Sequence, residues 1–253
     1  MVRLSTDHLM TVMPFSVAYC GPAPSPGDWR WNLDPALLVL AFVAMALILW
    51  RLRERNRTLA LAALGVLIVV FISPLCAVSS ALFSARTIHH VLLVAVAAPW
   101  IAWALPVDRM KLLSFATAVQ AAVFWGWHAP AAYEAALSSD ALYWVMQVTL
   151  LASAVWFWGA IRSASLPSAV GHLLVAMVAL GLLGALLTFA DQAVYRPHLL
   201  TTQDWGFTPL EDQQAAGLIM WAPAAAVYLA AALWLLGRWM GPDSTVVRVD
   251  AEL

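Results

Sequence analysis

Long apolar runs, separated by short polar segments, recur along the whole chain. They lie near residues 34–51, 57–75, 87–106, 110–128, 141–161, 168–190 and 209–237. A helix needs roughly 20 residues to cross a hydrocarbon layer of about 30 Å, and the runs do not alternate polar and apolar residues as membrane β-strands do. The pattern therefore predicts an all-α, polytopic membrane helix bundle with seven transmembrane helices.

The polar residues divide the chain into three parts around this bundle. Residues 1–33 are a predicted extracytoplasmic N-terminal segment, residues 34–240 the transmembrane domain, and residues 241–253 a cytoplasmic tail. The prolines and glycines of GPAPSPGD at 21–28 favour an extended connector. An apolar stretch precedes this connector, but Pro14 interrupts it, so we do not interpret the stretch as a signal peptide. We expect one domain, since no segment repeats.

Basic residues orient the predicted bundle. Nine of the thirteen fall on one side of the seven helices: Arg51, Arg53, Arg55, Arg57, Arg109, Lys111, Arg162, Arg238 and Arg248. The other side has Arg3, Arg30, Arg86 and Arg196. Since cytoplasmic loops carry an excess of Lys and Arg, the pattern predicts an N-terminus outside the cell and a C-terminus in the cytoplasm.

Composition supports the membrane class and excludes one group of partners. Of the 253 residues, 63% are apolar and 11% charged, which leaves too little polar surface for a soluble domain of this size. The net charge is −1 and the basic residues form no stripe, so we expect no nucleic-acid partner. Cys20 and Cys76 lack CxxC spacing, and we predict that they form no disulfide framework.

Metal-binding side chains collect at the predicted outer ends of three helices. They are His89 and His90 in the third helix, His128 in the fourth, and Asp212, Gln213, Gln214 and Met220 in the seventh. Imidazole, thioether and thiolate groups suit copper, whereas calcium and magnesium require many oxygen ligands. The sequence thus predicts a copper site, with His90, His128, Asp212, Met220, His89 and Gln213 as the candidate ligands.

Each candidate also has an ordinary structural interpretation. Neighbours on a helix diverge by about 100°, so His89 and His90 cannot both face one ion, and we favour His90. A histidine near a helix end can lie among the lipid headgroups. Met220, and Cys76 at a similar depth, can simply pack in an apolar helix.

Other polar residues near these helix ends are explained without a metal. Thr208 and Glu211 have the spacing of a capping box, so Glu211 is interpreted as a helix cap. The helix dipole partly explains Asp212 at the same helix start. His172 and His198 are interpreted as solvated or packing residues.

Several stretches together resemble one known family. They are FISPL (71–75), LFSARTIHHVLLVAVAAP (82–99), WHAPAAYEAAL (127–137), VWFWGAI (155–161), LLGALLTFA (182–190) and PLEDQQAAGLIMWAPAAAVYL (209–229). In this order they resemble the seven-span cytochrome c oxidase assembly factors of the CtaG type, over residues 70 to 237. The resemblance implies a protein of the bacterial inner membrane that delivers or holds copper for haem-copper oxidase subunits on the outer side.

The resemblance also assigns site residues and reveals departures. It places the family's histidines on His90 and His128, its DQQ triplet on Asp212, Gln213 and Gln214, and its IMW methionine on Met220. The family commonly has a histidine where Arg86 stands. It also commonly has an HxxEH run where this chain has Tyr143, Met146 and Gln147. Copper held by those groups would have to be held differently here or not at all.

We therefore expect a non-enzymatic assembly factor, and two alternatives stay open. His90 and His128 on different helices could instead be axial ligands in a haem- or quinone-binding redox protein. A scaffold for oxidase assembly without bound metal is the second alternative. The predicted outer loop 190–208 is the expected contact for a protein partner because it is the longest loop, and the oligomeric state is left open.

Overall fold

The computed structural model describes residues 19–105 and 112–240, which form nine longer helices, two one-turn 3-10 helices (Arg196–His198 and Gln203–Trp205) and no strand. The helices are α1 Pro35–Arg51, α2 Glu54–Phe71, α3 Pro74–Ala81, α4 Phe83–Ala104, α5 Leu113–His128, α6 Pro130–Leu137, α7 Asp140–Ser163, α8 Leu166–Thr188 and α9 Pro209–Met240. Part of the topology prediction concerns Arg3, Arg109, Lys111 and Arg248, which lie outside the described residues, as do most of the predicted N-terminal segment and the tail.

Four helices are long and apolar enough to cross a membrane: α4, α7, α8 and α9. Helices α2 and α3 form a fifth candidate span if they count as one, although they are bent by 45° at their junction. Helix α1, with 17 residues, is shorter but apolar. Each of the seven predicted segments thus contains a helix, and the all-helical membrane class is confirmed. The count of seven spans stays a prediction.

Helix α4 lies at the centre of the bundle, where it packs against α2, α3, α7 and α9. Helix α7 also contacts α5, α5 contacts α8, and α8 contacts α9. The five helices α4, α7, α5, α8 and α9 therefore form a closed ring in that order. Helix α1 packs on α2 and buries only Leu37, so most of its apolar surface is exposed for lipid. The central position of α4 puts its polar residues inside the protein.

Two π-helical turns interrupt the long helices, and each lies beside a proline. In α4 the turn spans Leu92–Ala97, before Pro99. The carbonyl of Val94 would bond to residue 99 in this turn, but proline has no N–H, and the indole Nε1–H of Trp158 donates to it instead at 3.0 Å. In α9 the turn spans Met220–Ala224 and includes Pro223. Such turns are frequent at functional sites.

Helices α8 and α9 cross with their backbones in contact. A Cβ atom added at Gly184 would lie 2.7 Å from the carbonyl oxygen of Gly217. One added at Gly217 would lie 2.5 Å from the backbone nitrogen of Thr188. Only glycine fits at these two positions, as at small-residue crossings in membrane helices.

One end of the bundle is covered by α3, α6 and the segments 19–34 and 189–208, which we call the capped end. The N–H of Asn32 donates to the carbonyl of Ile72 at 2.9 Å, and the indole of Trp205 donates to the carbonyl of Pro24 at 2.9 Å. The loop between α8 and α9 therefore lies against the N-terminal segment.

A disulfide bond joins Cys20 to Cys76, 56 residues further along the chain, with the two Cα atoms 5.3 Å apart. The sequence left open whether these two cysteines approach one another, and the prediction that they form no disulfide framework did not anticipate this bond. Their sequence spacing carried no information, because the N-terminal segment folds back over α3. Cys76 consequently has no free thiolate to offer to a metal.

Candidate functional site

The capped end contains a pair of facing histidines. Nδ1 of His90 on α4 lies 3.5 Å from Nε2 of His128 on α5, and the ring centres are 5.3 Å apart. His90 is 0% exposed and His128 is 2% exposed. Two imidazoles that are 38 residues apart in the chain thus meet in the protein interior.

The carbonyl of Phe124 fixes the orientation of the His128 ring. Nδ1–H of His128 donates to this carbonyl at 2.7 Å, and the ring stacks on the Phe124 ring with the centres 4.3 Å apart. With the proton on Nδ1, Nε2 carries a lone pair directed at His90. The carbonyl of His128 accepts from the hydroxyl of Tyr195 at 2.7 Å, which holds the end of α5.

His89 points away from this pair. Its ring packs edge-on against Phe71 of α2, with the ring centres 5.2 Å apart. The divergence of neighbouring residues on a helix therefore separates the two histidines as predicted, and His90 is the one that faces His128.

Asp212 holds the N-terminus of α4. Its Oδ2 accepts from the N–H of Phe83 at 2.6 Å, and its Oδ1 accepts from the N–H of Ser84 at 3.1 Å and from the Ser84 hydroxyl. Helix α4 begins after Leu82, which offers no side-chain cap, so an aspartate from α9 satisfies these amides. Asp212 thereby positions the helix that carries the histidines, and its predicted role as a metal ligand stays a prediction.

The two glutamines after Asp212 hold the loop that follows α8. Gln213 accepts from the N–H of Val194 at 2.8 Å and donates to the carbonyl of Gln192 at 3.0 Å. Gln214 donates to the carbonyl of Ala190 at 3.1 Å. The amide of Gln213 thus has backbone partners, and its role as a ligand is an untested prediction.

The seventh predicted helix begins as expected, and its methionine is buried. Thr208 and Glu211 form the predicted capping box at the start of α9. Met220 is fully buried in the π-helical turn of α9, where its Cβ lies close to Gly184 on α8. Binding of a metal by Met220 stays a prediction.

A layer of aromatic residues covers the histidine pair on the capped end. The hydroxyl of Tyr133 donates to Nε2 of His198 at 2.7 Å, and Nδ1–H of His198 donates to the carbonyl of Ala81 at 3.2 Å. Tyr195 stacks on Phe83 with the ring centres 3.8 Å apart. Burial lowers the pKa of His198 to about 4, so this ring is neutral near pH 7. The sequence did not place His198 in the site, because no motif predicts that the loop after α8 contacts Tyr133 on α6.

A second polar group lies on the side of α4 that faces α7. The Arg86 side chain is fully buried, its Nη1 lies 3.5 Å from the hydroxyl of Tyr143, and its guanidinium carbon lies 5.3 Å from the centre of the Tyr143 ring. Gln147 follows one turn later on α7 and is also buried. Residues at which this chain departs from the resembled pattern therefore lie near each other across the α4–α7 interface.

Within residues 19–105 and 112–240, no group of three or more His, Cys, Asp and Glu side chains could hold a metal ion. Any metal bound at this site would use the two facing imidazoles and ligands of another type. A site with two histidine ligands has free coordination positions, unlike a structural metal site with four protein ligands.

The apolar helices and the buried histidine pair define a helical membrane protein with a polar site under one end of its bundle. The family model described as cytochrome c oxidase caa3 assembly factor (Caa3_CtaG) matches residues 111–241, which is more than half of the chain. The chain belongs to this family of oxidase assembly factors. Comparison with curated proteins and with solved structures gave no match. The matched region contains His128, whereas His90 precedes it.

Proposed function

We propose that this assembly factor takes part in oxidase maturation by holding copper between His90 and His128, without catalysing a reaction. The observation that carries the proposal is the separation of 3.5 Å between the two facing nitrogens. Membership of the family supports a role in oxidase assembly. Copper is then a cargo that the protein receives and passes to a haem-copper oxidase subunit.

The geometry of the pair suits a metal of low coordination number. With metal–nitrogen bonds of about 2 Å, a separation of this size corresponds to an angle of about 120° at the metal. Nε2 of His128 offers a lone pair because Phe124 holds the proton on Nδ1. Imidazole is a suitable ligand for copper. Since two side chains converge here among the described residues, a third position is open to an exchanging ligand.

We further propose seven transmembrane helices with the capped end outside the cell. The basic residues favour this orientation by the positive-inside rule. The Cys20–Cys76 disulfide at the capped end supports it independently, because disulfides persist in oxidising compartments. The proposed copper site then lies on the side from which an oxidase could receive copper outside the inner membrane.

Copper titration of the purified protein tests this function. Wild type should bind one Cu(I) per chain in anaerobic competition with a chromophoric chelator, and His90→Ala and His128→Ala should bind at least tenfold more weakly. His172→Ala is the matched control, because His172 is half-buried and bonds to Ser114 and to a carbonyl of its own helix. It should bind copper like wild type.

Two results would contradict the copper proposal. Equal copper binding by wild type and both site variants would leave a scaffold without a metal. A Soret absorption band from the protein purified from its native membrane would instead indicate a haem protein. The copper titration and the absorption spectrum therefore separate all three functions.

We propose that the loop after α8 contacts the partner subunit. His198 and Thr202 are buried and anchor the loop, while Leu200 between them is 85% exposed. A photo-crosslinking residue in place of Leu200 should capture an oxidase subunit, whereas one in place of Trp239, which is exposed at the opposite end of α9, should not. Cross-links from Trp239 alone would refute this contact.

A further inference from the structure

The Arg86 side chain carries a buried charge that lacks a counter-ion. It is 0% exposed, and its Nε and Nη2 have no hydrogen-bond partner. Its Nη1 lies at the long distance of 3.5 Å from the neutral hydroxyl of Tyr143, and the hydroxyl of Tyr133, which is also neutral, lies within reach of the guanidinium. An unpaired charge in a protein interior is strongly destabilising unless something compensates it.

The carboxylates of the described chain do not provide this compensation. Asp212 is the buried carboxylate among residues 19–105 and 112–240, and both of its oxygens bind the first amides of α4. Arg86 forms no salt bridge within the same ranges. The guanidinium therefore has no negatively charged partner among the residues that the structure describes.

A further unsatisfied donor lies near the Arg86 guanidinium. Gln147 follows Tyr143 by one turn on α7, and neither atom of its amide group has a partner. Residues four apart share a helix face, so these groups border the same part of the α4–α7 interface. The interface therefore offers several N–H donors and a positive charge to an acceptor.

We propose that this interface binds a small anion, of which chloride is the simplest example, between Arg86 and Gln147. The surrounding side chains are almost completely buried, so the ligand must be small enough to be enclosed. A single negative charge would balance the guanidinium and accept hydrogen bonds from its fork of donors. This anion site does not require copper at the histidine pair.

Thermal unfolding of the metal-free, full-length protein in detergent tests the anion site. Wild type is compared in sodium chloride and in sodium gluconate of equal ionic strength, because gluconate is too large for an enclosed site. At chloride well above its Kd, the unfolding temperature should exceed that in gluconate by about 5 °C. Arg86→Met should abolish this difference and, in gluconate, should unfold at or above the wild-type temperature.

A matched control separates the anion site from general effects of a buried polar residue. Gln120 is also buried, lies two turns from His128 on α5 and donates to the hydroxyl of Tyr228 at 2.9 Å. Gln120→Leu should keep the full chloride effect, whereas Gln147→Leu should weaken chloride binding several-fold. Gln147→Leu retains the guanidinium, so it tests the site even if Arg86→Met does not fold.

Chloride-35 NMR line broadening gives a second readout. Wild type should broaden the line, competition by bromide should reverse the broadening, and Arg86→Met or Gln147→Leu should reduce it. Equal unfolding temperatures of wild type in the two salts, or an undiminished chloride effect in both site variants, would overturn the proposal. Because all samples are metal-free, the anion proposal can fail in this test without contradicting the copper proposal.

Discussion

Asp212→Ala should loosen the N-terminus of α4 and thereby the histidine pair. The carboxylate accepts the N–H groups of Phe83 and Ser84, at 2.6 Å and 3.1 Å. Asp212 and Phe83 are each 1% exposed, so water cannot easily replace the lost acceptor. Each buried amide left unsatisfied costs about 1–3 kcal/mol, so the variant should lose about 3 kcal/mol of stability.

For a chain of this size, such a loss lowers the unfolding temperature by about 6–12 °C. Thermal unfolding in detergent measures it, and the copper titration of the same samples measures the effect on His90. We expect weaker copper binding as well, because α4 carries His90 toward His128. Asp212→Asn should lie between wild type and alanine, since the amide keeps one acceptor oxygen.

Glu211→Gln is the matched control for this prediction. Glu211 is the neighbouring acid, but it is exposed and bonds to the backbone and hydroxyl of Thr208 within its own helix. Its substitution should change stability by less than about 0.5 kcal/mol. If Asp212→Ala unfolded at the same temperature as Glu211→Gln and bound copper equally well, Asp212 would not be the anchor of α4.

Three further predictions concern the packing and the capped end. Gly217→Ala should destabilise the protein by about 1–3 kcal/mol, because the added Cβ would lie 2.5 Å from the backbone of α8. Gly237→Ala is the control, since Gly237 has open space around it and its substitution should not destabilise the protein. Equal unfolding temperatures of the two variants would contradict the close crossing of α8 and α9. Burial lowers the pKa of His198 to about 4, whereas in the unfolded chain it is about 6.5, so as the pH falls below about 6.5 the unfolded chain is protonated first and stability is lost. At pH 5, thermal unfolding should show that wild type has lost about 2 kcal/mol of stability that His198→Gln does not lose. Cys20→Ser should lower stability by about 2–4 kcal/mol, and a reductant should lower that of wild type equally but leave the variant unchanged.

Features that depend on neighbouring residues could be predicted from the sequence. The apolar runs predict where the helices lie, and the capping box of Thr208 and Glu211 forms because both residues belong to one helix turn. The choice of His90 over His89 follows from helix geometry alone. In each case the interacting groups are separated by a few residues, so the local backbone fixes their relation.

Features that depend on tertiary contacts could not be predicted in this way. The disulfide requires the N-terminal segment to fold back on α3, and the cap from Asp212 requires α9 to approach the start of α4. The predicted second span stops earlier than its apolar run suggests, because Pro74 begins a separate helix at a bend of 45°. Sequence periodicity does not encode any of these approaches between distant segments.

The proximity of Arg86 to the histidine pair connects the two proposed sites. Arg86 and His90 are one turn apart on α4, where side chains are about 5–6 Å apart at Cβ. At about 6 Å and an effective dielectric constant of about 20, a guanidinium and a copper ion of charge +1 repel each other by about 3 kcal/mol. This repulsion corresponds to roughly a hundredfold loss of copper affinity. An anion at Arg86 would offset much of this repulsion, so an anion at Arg86 should strengthen copper binding at the histidine pair.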